Sequence, residues 1–492
     1  MIVITFFNSL VRKKQEFIPI REGEVKIYTC GPTVYDYAHI GNLRSYIFAD
    51  VLKRVLLYNG YKVKHIINIT DVGHLVSDAD EGEDKMMRAL KREGLEPSIE
   101  SMKLLADRYA RAFKENLRDL EIIFPNKFTK ASEYIGEMIS LIKRLEDNGF
   151  TYQTKQGIYF DISKFPEYKN LFQGQALEEK IVGIRTDVGR DPEKKHPADF
   201  ALWFFLYGDF EKAVQHWSSP WGEGFPGWHI ECSAMSMAEL GEKFDIHTGG
   251  IDHITKHHPN EVAQNWGATG GYAVNYWLHN DFVIVGGTGR MAKSAGTFIT
   301  LSSLKEKNFN PLAYRYLLLL AHYRTKIDFS WEALGSAQNA LFKIYGFIQK
   351  LNQIPSVFPR SEIIEQTIEN YQKEFSKYIN NDLDMPKAVA LIHKLMDKVN
   401  ERLIHENINV QNVLGLLLNF DRVLGLRFEK ILEIKLGAED QRNIELRNKA
   451  RAEKDFKRAD DIREELLKKG IELEDMIFGT IWKKIRYDFL QS

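Results

Sequence analysis

Cysteine is scarce in this chain: Cys30 and Cys232 are the only two among 492 residues. A small secreted scaffold held by disulfides carries more cysteines than this, so that class of protein is excluded. A buried thiol without a function and one long-range bridge both remain open, because a free cysteine often packs as a small apolar residue. However, both cysteines lie among glycine, proline, histidine and tryptophan residues, which indicates a site.

Long apolar runs are also missing. Residues 317–320 are all leucine but lie between Arg315 and Arg324, far short of the roughly 18 apolar residues of a membrane span. The apolar start at residues 1–7 is followed at once by polar and basic residues, without the cleavage site of a signal peptide. We therefore expect a cytoplasmic protein that does not enter a membrane.

The chain has no excess of charge of one sign, because 67 basic residues face 68 acidic ones and the net charge is −1. Any contact with RNA must therefore come from a local patch. Residues 442–458 form one candidate, with seven basic residues against three acidic ones. A solvated helix face and a surface that grips a phosphate backbone both fit this pattern.

The hydrophobic pattern predicts two βαβ units. Residues 25–30 and 63–69 have the composition of strands, and apolar residues recur at helical spacing between them until Gly60. A second unit has a strand at 244–247, a helix at 258–266 and strand material at 273–285. Such units form parallel sheets that bind ligands at the carboxyl ends of their strands.

The length of the chain predicts several domains, because one compact core rarely exceeds about 250–300 residues. The stretch from about 120 to 225 is rich in loops and charge and is interpreted as an insertion into the sheet domain. From about residue 333 the pattern is helical almost throughout. The predicted fold class is α/β: a Rossmann-like parallel-sheet domain with an insertion, followed by a mainly α-helical C-terminal region.

Two segments are suited to phosphate. Residues 39–42, His-Ile-Gly-Asn, directly precede the first predicted helix, whose free N–H groups and dipole attract anions. Residues 286–294 form a glycine-rich loop that carries Arg290 and Lys293, which suits a mobile segment closing over a polyphosphate. An ordinary loop and a solvated hairpin are the alternatives.

A third group of residues is suited to a metal. Cys232 ends the string Trp-His-Ile-Glu-Cys, and His257 and Glu261 are four apart, on one helix face. Cysteine, histidine and glutamate all bind zinc. Cys30 and Cys232 are 232 − 30 = 202 positions apart, so spacing does not establish a site. A core thiol beside a histidine–glutamate pair remains the alternative.

Taken together and in order, these strings resemble the cysteinyl-tRNA synthetases, which are class I aminoacyl-tRNA synthetases. The resemblance spans nearly the whole chain and rests on residues 30–36, 39–42, 68–71, 226–235, 247–252, 257–261, 290–294 and 447–463. It implies a ligase that activates L-cysteine with ATP and Mg²⁺, releases pyrophosphate and transfers cysteine to tRNA(Cys). It also implies a monomer.

The resemblance assigns residues by their place in these strings. It implies one zinc ion per chain, selecting the cysteine thiol and held by Cys30, Cys232, His257 and Glu261, and a cysteine pocket that involves Thr70, Trp228 and His247. It implies ATP contacts from His39, Gly41, Asn42, Gly250, Asp252 and Lys293, of which His39, Asn42 and Lys293 are the catalytic candidates.

The resemblance also implies a domain plan. The Rossmann catalytic domain would occupy residues 1–120 and 226–290, interrupted by a connective insertion at 121–225. A signature-loop and stem-contact region at 291–345, a helical bundle at 346–430 and an anticodon-binding domain at 431–492 would follow.

The chain departs from the family pattern at several positions. Asn42 stands where a second histidine is usual, Arg290 and Ala292 alter the signature loop, and Pro259 replaces a glutamate. The acidic loop at 78–84 has no role that the sequence reveals. Two rival functions stay open: a ligase that joins cysteine to an amino sugar and lacks the tRNA-binding tail, and a zinc- or RNA-binding relative whose catalytic site has decayed.

Overall fold

The computed structural model describes residues 3–73, 85–174, 191–287, 298–354, 362–403, 410–476 and 479–487. The strands are β1 Thr5–Asn8, β2 Lys13–Glu16, β3 Glu24–Thr29, β4 Lys62–Ile69, β5 Lys127–Lys130, β6 Thr151–Gln153, β7 Gly157–Phe160, β8 Phe200–Phe205, β9 Trp217–Ser219, β10 Gly222–Pro226, β11 Phe244–Gly250, β12 Val274–Asn280, β13 Val283–Val285, β14 Ile327–Phe329, β15 Ile471–Met476 and β16 Gly479–Lys484.

The α-helices are α1 Ile40–Tyr58, α2 Lys85–Glu93, α3 Ile99–Asp119, α4 Ile135–Asp147, α5 Trp228–Leu240, α6 His253–Lys256, α7 His258–Thr269, α8 Leu301–Glu306, α9 Pro311–Leu319, α10 Trp331–Gln353, α11 Glu362–Asn380, α12 Met385–Leu403, α13 Val410–Leu424, α14 Phe428–Leu432, α15 Ala438–Ala452 and α16 Phe456–Lys468. Short 3₁₀ helices occur at Ala131–Glu133, Ile162–Lys164, Pro166–Gly174 and Gly208–Phe210.

A parallel five-stranded sheet forms the centre of the first half, in the order β12-β11-β3-β4-β5. Its order reverses between β3 and β11, which is the topological switch point where such sheets bind ligands. Both predicted βαβ units are confirmed, as β3-α1-β4 and β11-α7-β12. The predicted fold class is confirmed as well.

The insertion forms a second sheet. Strands β6, β7, β8, β10 and β9 pair antiparallel in that order. Their aromatic residues pack face to face, as in Phe160 and Phe200, whose ring centres lie 5.0 Å apart. Strand β10 leads through Gly227 directly into α5, which carries Trp228 and Cys232. The second sheet therefore positions the start of this helix.

The C-terminal part departs from its sequence pattern at one place. Helices α10 to α16 follow the prediction, but Ile471–Met476 and Gly479–Lys484 form the antiparallel strands β15 and β16 instead of helix. Ile471 and Leu473 alternate with polar residues and are buried, which is the two-residue period of a strand. Gln353 and Gln349 of α10 bond the backbone of β16, so the hairpin is anchored to the bundle. Among the described residues, no helix is long and apolar enough to cross a membrane.

A buried ion cluster joins the central sheet to the helical part. The Asp50 carboxylate of α1 accepts hydrogen bonds from Arg54 at 2.7 Å and from Arg315 of α9 at 2.6 Å. Arg315 also donates to the carbonyl of Leu424 at the end of α13. Gly425, with φ of +63°, lets this guanidinium approach, because a Cβ there would lie 2.6 Å from its nitrogen. Residues of α1 and α9 therefore share one carboxylate, and Arg315 connects α13 to it.

The charge of Asp50 contributes to folding stability. Burial alone would raise its pKa, but Arg54 and Arg315 lower it below the usual value. Because the pKa is lower in the folded than in the unfolded chain, the contribution is complete above the unfolded value of about 3.9. It is lost as the pH falls through the folded value.

Replacing Asp50 by alanine is expected to destabilise the chain by about 3–5 kcal/mol, because two buried guanidinium groups lose their counter-ion. Urea unfolding followed by circular dichroism and by tryptophan fluorescence measures the loss. Glu433→Ala is the control, since it removes an exposed carboxylate paired with Lys430. A surface change of this kind alters stability by about 0.5 kcal/mol or less. Equal effects of the two changes would contradict the role of the cluster.

Candidate active site

A cavity of about 640 Å³ lies at the carboxyl ends of β3 and β11. It therefore occupies the switch point of the sheet, where the fold predicts a ligand. The predicted site residues that line it are Cys30, His39, Gly41, Asn42, Thr70, Trp228, Cys232, Gly250, Asp252 and His257. The structure thus brings together side chains that are separated by more than 200 positions in the sequence.

The segment after β3 lies directly against the end of β4. The Thr70 backbone donates to the Pro32 carbonyl at 3.0 Å, and the Val34 backbone donates to Thr70 at 3.1 Å. Gly31 is required here, because a Cβ at this position would lie 1.5 Å from the carbonyl oxygen of Asn68. This close approach holds Cys30 at the floor of the cavity.

Cys30, Cys232, His257 and Glu261 form one buried cluster. Their ligand-type atoms all lie within 4.8 Å of one another. The His257 Nε2 lies 3.0 Å from Glu261 Oε1, and Cys30 Sγ lies 3.9 Å from the same oxygen. Ligand atoms around a tetrahedral zinc with normal bonds are about 3.3–3.8 Å apart. Two sulfurs, one nitrogen and one oxygen at this spacing fit a zinc ion.

A second cluster shares two of these residues. Cys30 and Glu261 also lie within 4.8 Å of His247 and His258. Only Cys30 of this second group borders the cavity, whereas Cys30, Cys232 and His257 of the first group all do. The first group is therefore the one that a bound small molecule can reach.

The charges of the first cluster are strongly coupled. Burial would lower the pKa of His257, but the Glu261 carboxylate and Cys232 raise it to about 10. Burial would raise the pKa of Glu261, but His247 and His257 lower it to about 2. A hydrogen bond from Cys30 lowers the pKa of Cys232 to about 6, while burial raises that of Cys30. The cluster thus holds protons that a metal ion must displace.

A shell of further histidines surrounds these ligands. His229 Nδ1 lies 2.8 Å from His257 Nδ1, and His258 Nδ1 lies 2.6 Å from His279 Nε2. His253 lies 3.3 Å from His258. Such outer partners fix the ring orientation of metal-binding histidines. Sequence reasoning missed this shell; the adjacent histidines at 257–258 were the one visible signal, and His279 gave none.

His39 and Asn42 cap the first helix. The Asn42 backbone donates to His39 Nδ1 at 3.2 Å, and the His39 backbone donates to Asn42 Oδ1 at 3.2 Å. This reciprocal capping box uses one polar atom of each side chain. His39 Nε2 and the amide nitrogen of Asn42 are not used by it. Burial lowers the pKa of His39 to about 4, so the ring is neutral at pH 7.

Three residues were predicted for a cysteine pocket, and the structure places them at different depths. Thr70 borders the cavity and donates to Glu231 at 3.2 Å, while Trp228 stacks on His257 with ring centres 4.5 Å apart. His247 is fully buried, bonds Glu261 Oε2 at 2.9 Å and does not line the cavity. Glu261 does not line the cavity either, so His247 lies behind this candidate ligand and away from the cavity surface.

Lys293 and the rest of the altered signature loop lie outside the described residues, as does the acidic loop at 78–84. The residues on both sides of the signature loop are described and border the cavity. Gly287 precedes it, and Phe298 follows it with its ring 5.6 Å from the His39 ring. The Ile40 backbone donates to Ile299 at 2.8 Å. The described residues on both sides of the loop therefore border the cavity, and those that follow it contact the start of the first helix.

Known structures share this fold. Methionyl-tRNA synthetase of Mycobacterium tuberculosis in complex with methionyl-adenylate aligns over 83% of this chain and 93% of its own, with a TM-score of 0.61. A putative arginyl-tRNA synthetase from Campylobacter jejuni covers 85% and 94%, with a TM-score of 0.51. Their identities of 14% and 16% establish the fold alone.

Sequence relatives define the family. The model for the tRNA synthetases class I (C) catalytic domain matches residues 16–339. A cysteine–tRNA ligase of Treponema denticola is 43% identical over 97% of this chain and 99% of its own length. One from Thermus thermophilus is 38% identical over 98% and 99%. With a match of this extent, and with the resembling strings gathered around one cavity, the chain belongs to the cysteine–tRNA ligase family of class I tRNA synthetases.

Proposed function

We propose that this chain activates L-cysteine with ATP and transfers it to tRNA(Cys). The observation that carries the proposal is the buried Cys30–Cys232–His257–Glu261 cluster, which opens onto the switch-point cavity. Soft sulfur ligands at the floor of an amino-acid pocket suit a substrate that is itself a thiol. The family membership supports the same conclusion.

In the first step the cysteine carboxylate oxygen attacks the α-phosphorus of ATP. A new oxygen–phosphorus bond forms, the bond to the β-phosphate bridge breaks, and pyrophosphate leaves with Mg²⁺. His39 Nε2 and the Asn42 amide nitrogen are proposed to donate to phosphate oxygens, because the capping box leaves these atoms unused. Gly41 lets phosphate approach the helix start, where the helix dipole favours an anion.

The nucleoside of ATP is proposed to lie at the end of β11. Gly250 is held close to Asp252, since a Cβ at Gly250 would lie 2.5 Å from the Asp252 carboxylate. Asp252 also borders the cavity and is proposed to accept a hydrogen bond from a ribose hydroxyl. Lys293, from the loop flanked by Gly287 and Phe298, is proposed to balance charge on the phosphates in the transition state.

Selection of cysteine over serine needs more than shape, because the two substrates differ by one atom. Zinc held by Cys30, Cys232, His257 and Glu261 would supply a centre that binds a thiolate far better than a hydroxyl. Thr70 and Trp228 are proposed to form the walls that orient the amino acid. His247 fixes the Glu261 carboxylate from behind through the 2.9 Å hydrogen bond.

In the second step the terminal ribose hydroxyl of tRNA attacks the carbonyl carbon of the adenylate. A carbon–oxygen ester bond forms, the bond from that carbon to the phosphate oxygen breaks, and AMP leaves; the hydroxyl proton passes to the phosphate or to solvent. No side chain acts as the nucleophile. Catalysis then rests on positioning and charge stabilisation.

The domain plan given by the resemblance is retained as part of the proposal, with residues 431–492 binding the anticodon end. Helices α15 and α16 and the hairpin β15–β16 form one small module around Ile444, Leu466, Ile471 and Leu473. A ligase for an amino sugar needs no such module. A cytoplasmic monomer is also proposed.

Cysteine-dependent exchange of pyrophosphate into ATP tests the function. The purified chain is expected to catalyse the exchange with cysteine and not with serine, because the thiol selects the substrate. Addition of tRNA(Cys) should then yield cysteinyl-tRNA. If the chain catalyses the exchange but then joins cysteine to an amino sugar and not to tRNA, the rival ligase is favoured. If no amino acid supports the exchange, a decayed catalytic site is favoured.

Metal analysis after dialysis distinguishes the two overlapping clusters. Wild-type chain is expected to hold about one zinc ion, and Cys232→Ser and His257→Gln are each expected to lose it, since both remove a ligand of the first cluster. His258→Gln is the matched control, a neighbouring buried histidine that belongs only to the second cluster. It should keep the metal, with affinity weakened at most about 10- to 100-fold. The reverse pattern would move the metal to the second cluster.

The basic stretch at 442–458 is expected to bind tRNA through its exposed charges. Arg447 is buried and paired with Asp475, so it is structural, whereas Lys454, Lys457 and Arg458 are exposed. Changing these three to glutamine should raise the KM for tRNA and lessen its dependence on salt, because fewer counter-ions are released. Pyrophosphate exchange should not change.

The matched control for this change removes three exposed lysines elsewhere, Lys13, Lys62 and Lys243. Lys62 and Lys243 lie at the amino-terminal edge of the central sheet, opposite the cavity. Equal losses in both triple variants would mean that net charge alone governs binding. Substitution is preferable to deletion of the tail, because the Tyr487 hydroxyl bonds Gln349 of α10 at 2.7 Å and truncation would uncover that face.

A further inference from the structure

The cavity extends to both sides of the switch point, and its two sides differ in chemistry. On the side of β11 and β12 it is bordered by Gly250, Asp252 and residues 280–284, where ATP is proposed to bind. On the side of β4 and β5 it is bordered by aromatic residues, namely Tyr35, Tyr37, Tyr109 and Phe113. The proposed ATP contacts do not use this aromatic wing.

Tyr37 differs from the other residues of the aromatic wing because its ring is exposed. The strongly exposed aromatic side chains in the described ranges are Tyr37, Tyr207, Tyr272 and Phe456, and of these Tyr37 alone borders the cavity. Tyr37 is 42% exposed, whereas Tyr109, which lies behind it, is 2% exposed. An exposed ring at the mouth of a reaction cavity is a surface on which a nucleobase can stack.

The ring of Tyr37 is held in place by neighbours on two helices. It packs edge-on against Tyr109 of α3, with ring centres 4.9 Å apart and an angle of 87° between the planes. Its hydroxyl accepts from Arg108 at 3.4 Å, and its backbone donates to the Asp36 carboxylate at 2.8 Å. This carboxylate is in turn bound by Arg92 of α2 at 3.0 Å.

The residues that fix positions 35–37 also contact the rest of the aromatic wing. Arg92 also donates to the Tyr35 carbonyl and to the Tyr109 hydroxyl, both at 2.9 Å. The Tyr109 hydroxyl donates to Glu93, which also binds Arg108. A ring fixed in this way loses little freedom when a base stacks on it, which favours binding.

The transfer reaction brings two nucleosides to one carbonyl carbon. One is the adenosine of the adenylate, and the other is the terminal nucleoside of tRNA, whose ribose hydroxyl must reach the carbon from outside the adenylate. Because the ATP contacts occupy the β11 side, the second nucleoside has the β4 side of the cavity available. We infer that the aromatic wing is the subsite for the terminal adenosine of tRNA, with its base stacked on Tyr37. This inference rests on the function proposed above.

Tyr37→Ala tests the inference by separating the two steps. The variant is expected to keep cysteine-dependent pyrophosphate exchange, with the KM for ATP unchanged. Transfer of cysteine from the preformed adenylate to tRNA, measured in a single turnover, should slow by on the order of 5- to 150-fold, the range given by loss of one stacked base. Tyr37→Phe keeps the ring and should transfer nearly as fast as wild type.

Tyr272→Ala is the matched control. Its ring is 41% exposed, almost the same as that of Tyr37, but it precedes β12 at the opposite edge of the sheet. It should affect neither step. A raised KM for ATP in Tyr37→Ala would assign the ring to ATP and overturn the inference, and an unchanged transfer rate would overturn it as well. Absence of exchange in the wild-type chain would instead refute the proposed function.

A modified tRNA shows whether the ring contacts the base itself. In this tRNA the terminal adenine is removed while its ribose and hydroxyls are kept. The wild-type chain should transfer cysteine to this modified tRNA as slowly as Tyr37→Ala transfers cysteine to normal tRNA. Combining the two changes should slow transfer little further, because both remove the same contact. Fully additive losses would show that Tyr37 and the base act independently, which contradicts the inference.

Discussion

Burial of the Glu261 carboxylate is the constraint on which the rest of the site depends. A charge without solvent is costly unless it is paired and hydrogen-bonded, and both oxygens of Glu261 meet a histidine, at 2.9 Å and 3.0 Å. These histidines are fixed in turn: His247 stacks on Trp277 at 4.4 Å, and His257 stacks on Trp228. The geometry of the candidate metal cluster is therefore held both by Trp228, which borders the cavity, and by His247 and Trp277, which do not.

The same principle acts where the catalytic sheet meets the helical part. The carboxylate of Asp50 compensates the positive charge of two buried guanidinium groups. Through Arg315 it also connects the first helix to α9 and to the end of α13. The first helix begins at His39, in the proposed ATP site, and the bundle leads to the module that is proposed to bind the anticodon. The first helix thus connects the cavity to the helical bundle.

The residues of the site lie on different parts of the chain. The sheet supplies Cys30 and Glu261 from its two βαβ units, while the antiparallel sheet of the insertion ends in β10 and leads into Trp228 and Cys232. Because Cys232 lies on α5, which follows β10 directly, the position of this candidate ligand depends on how the insertion packs. The segment from Cys30 to His39 joins β3 to α1 and borders the cavity along its whole length. This one short segment therefore carries a candidate metal ligand, a proposed phosphate contact and Tyr37 of the inferred nucleoside subsite.

Sequence alone determined the elements whose pattern is local: the βαβ units have apolar runs of the right period, and His39 and Gly60 mark the ends of α1 through capping and positive φ. The motif strings also predicted a set of site residues, most of which line one cavity. Only the tertiary structure decided how they meet. Contact between Cys30 and Glu261 depends on strand order, His247 proved to lie behind Glu261, and strands β15 and β16 replaced predicted helix. The histidine shell and the exposed face of Tyr37 were likewise decided there, because burial and contact arise from packing between distant segments, which no local period encodes.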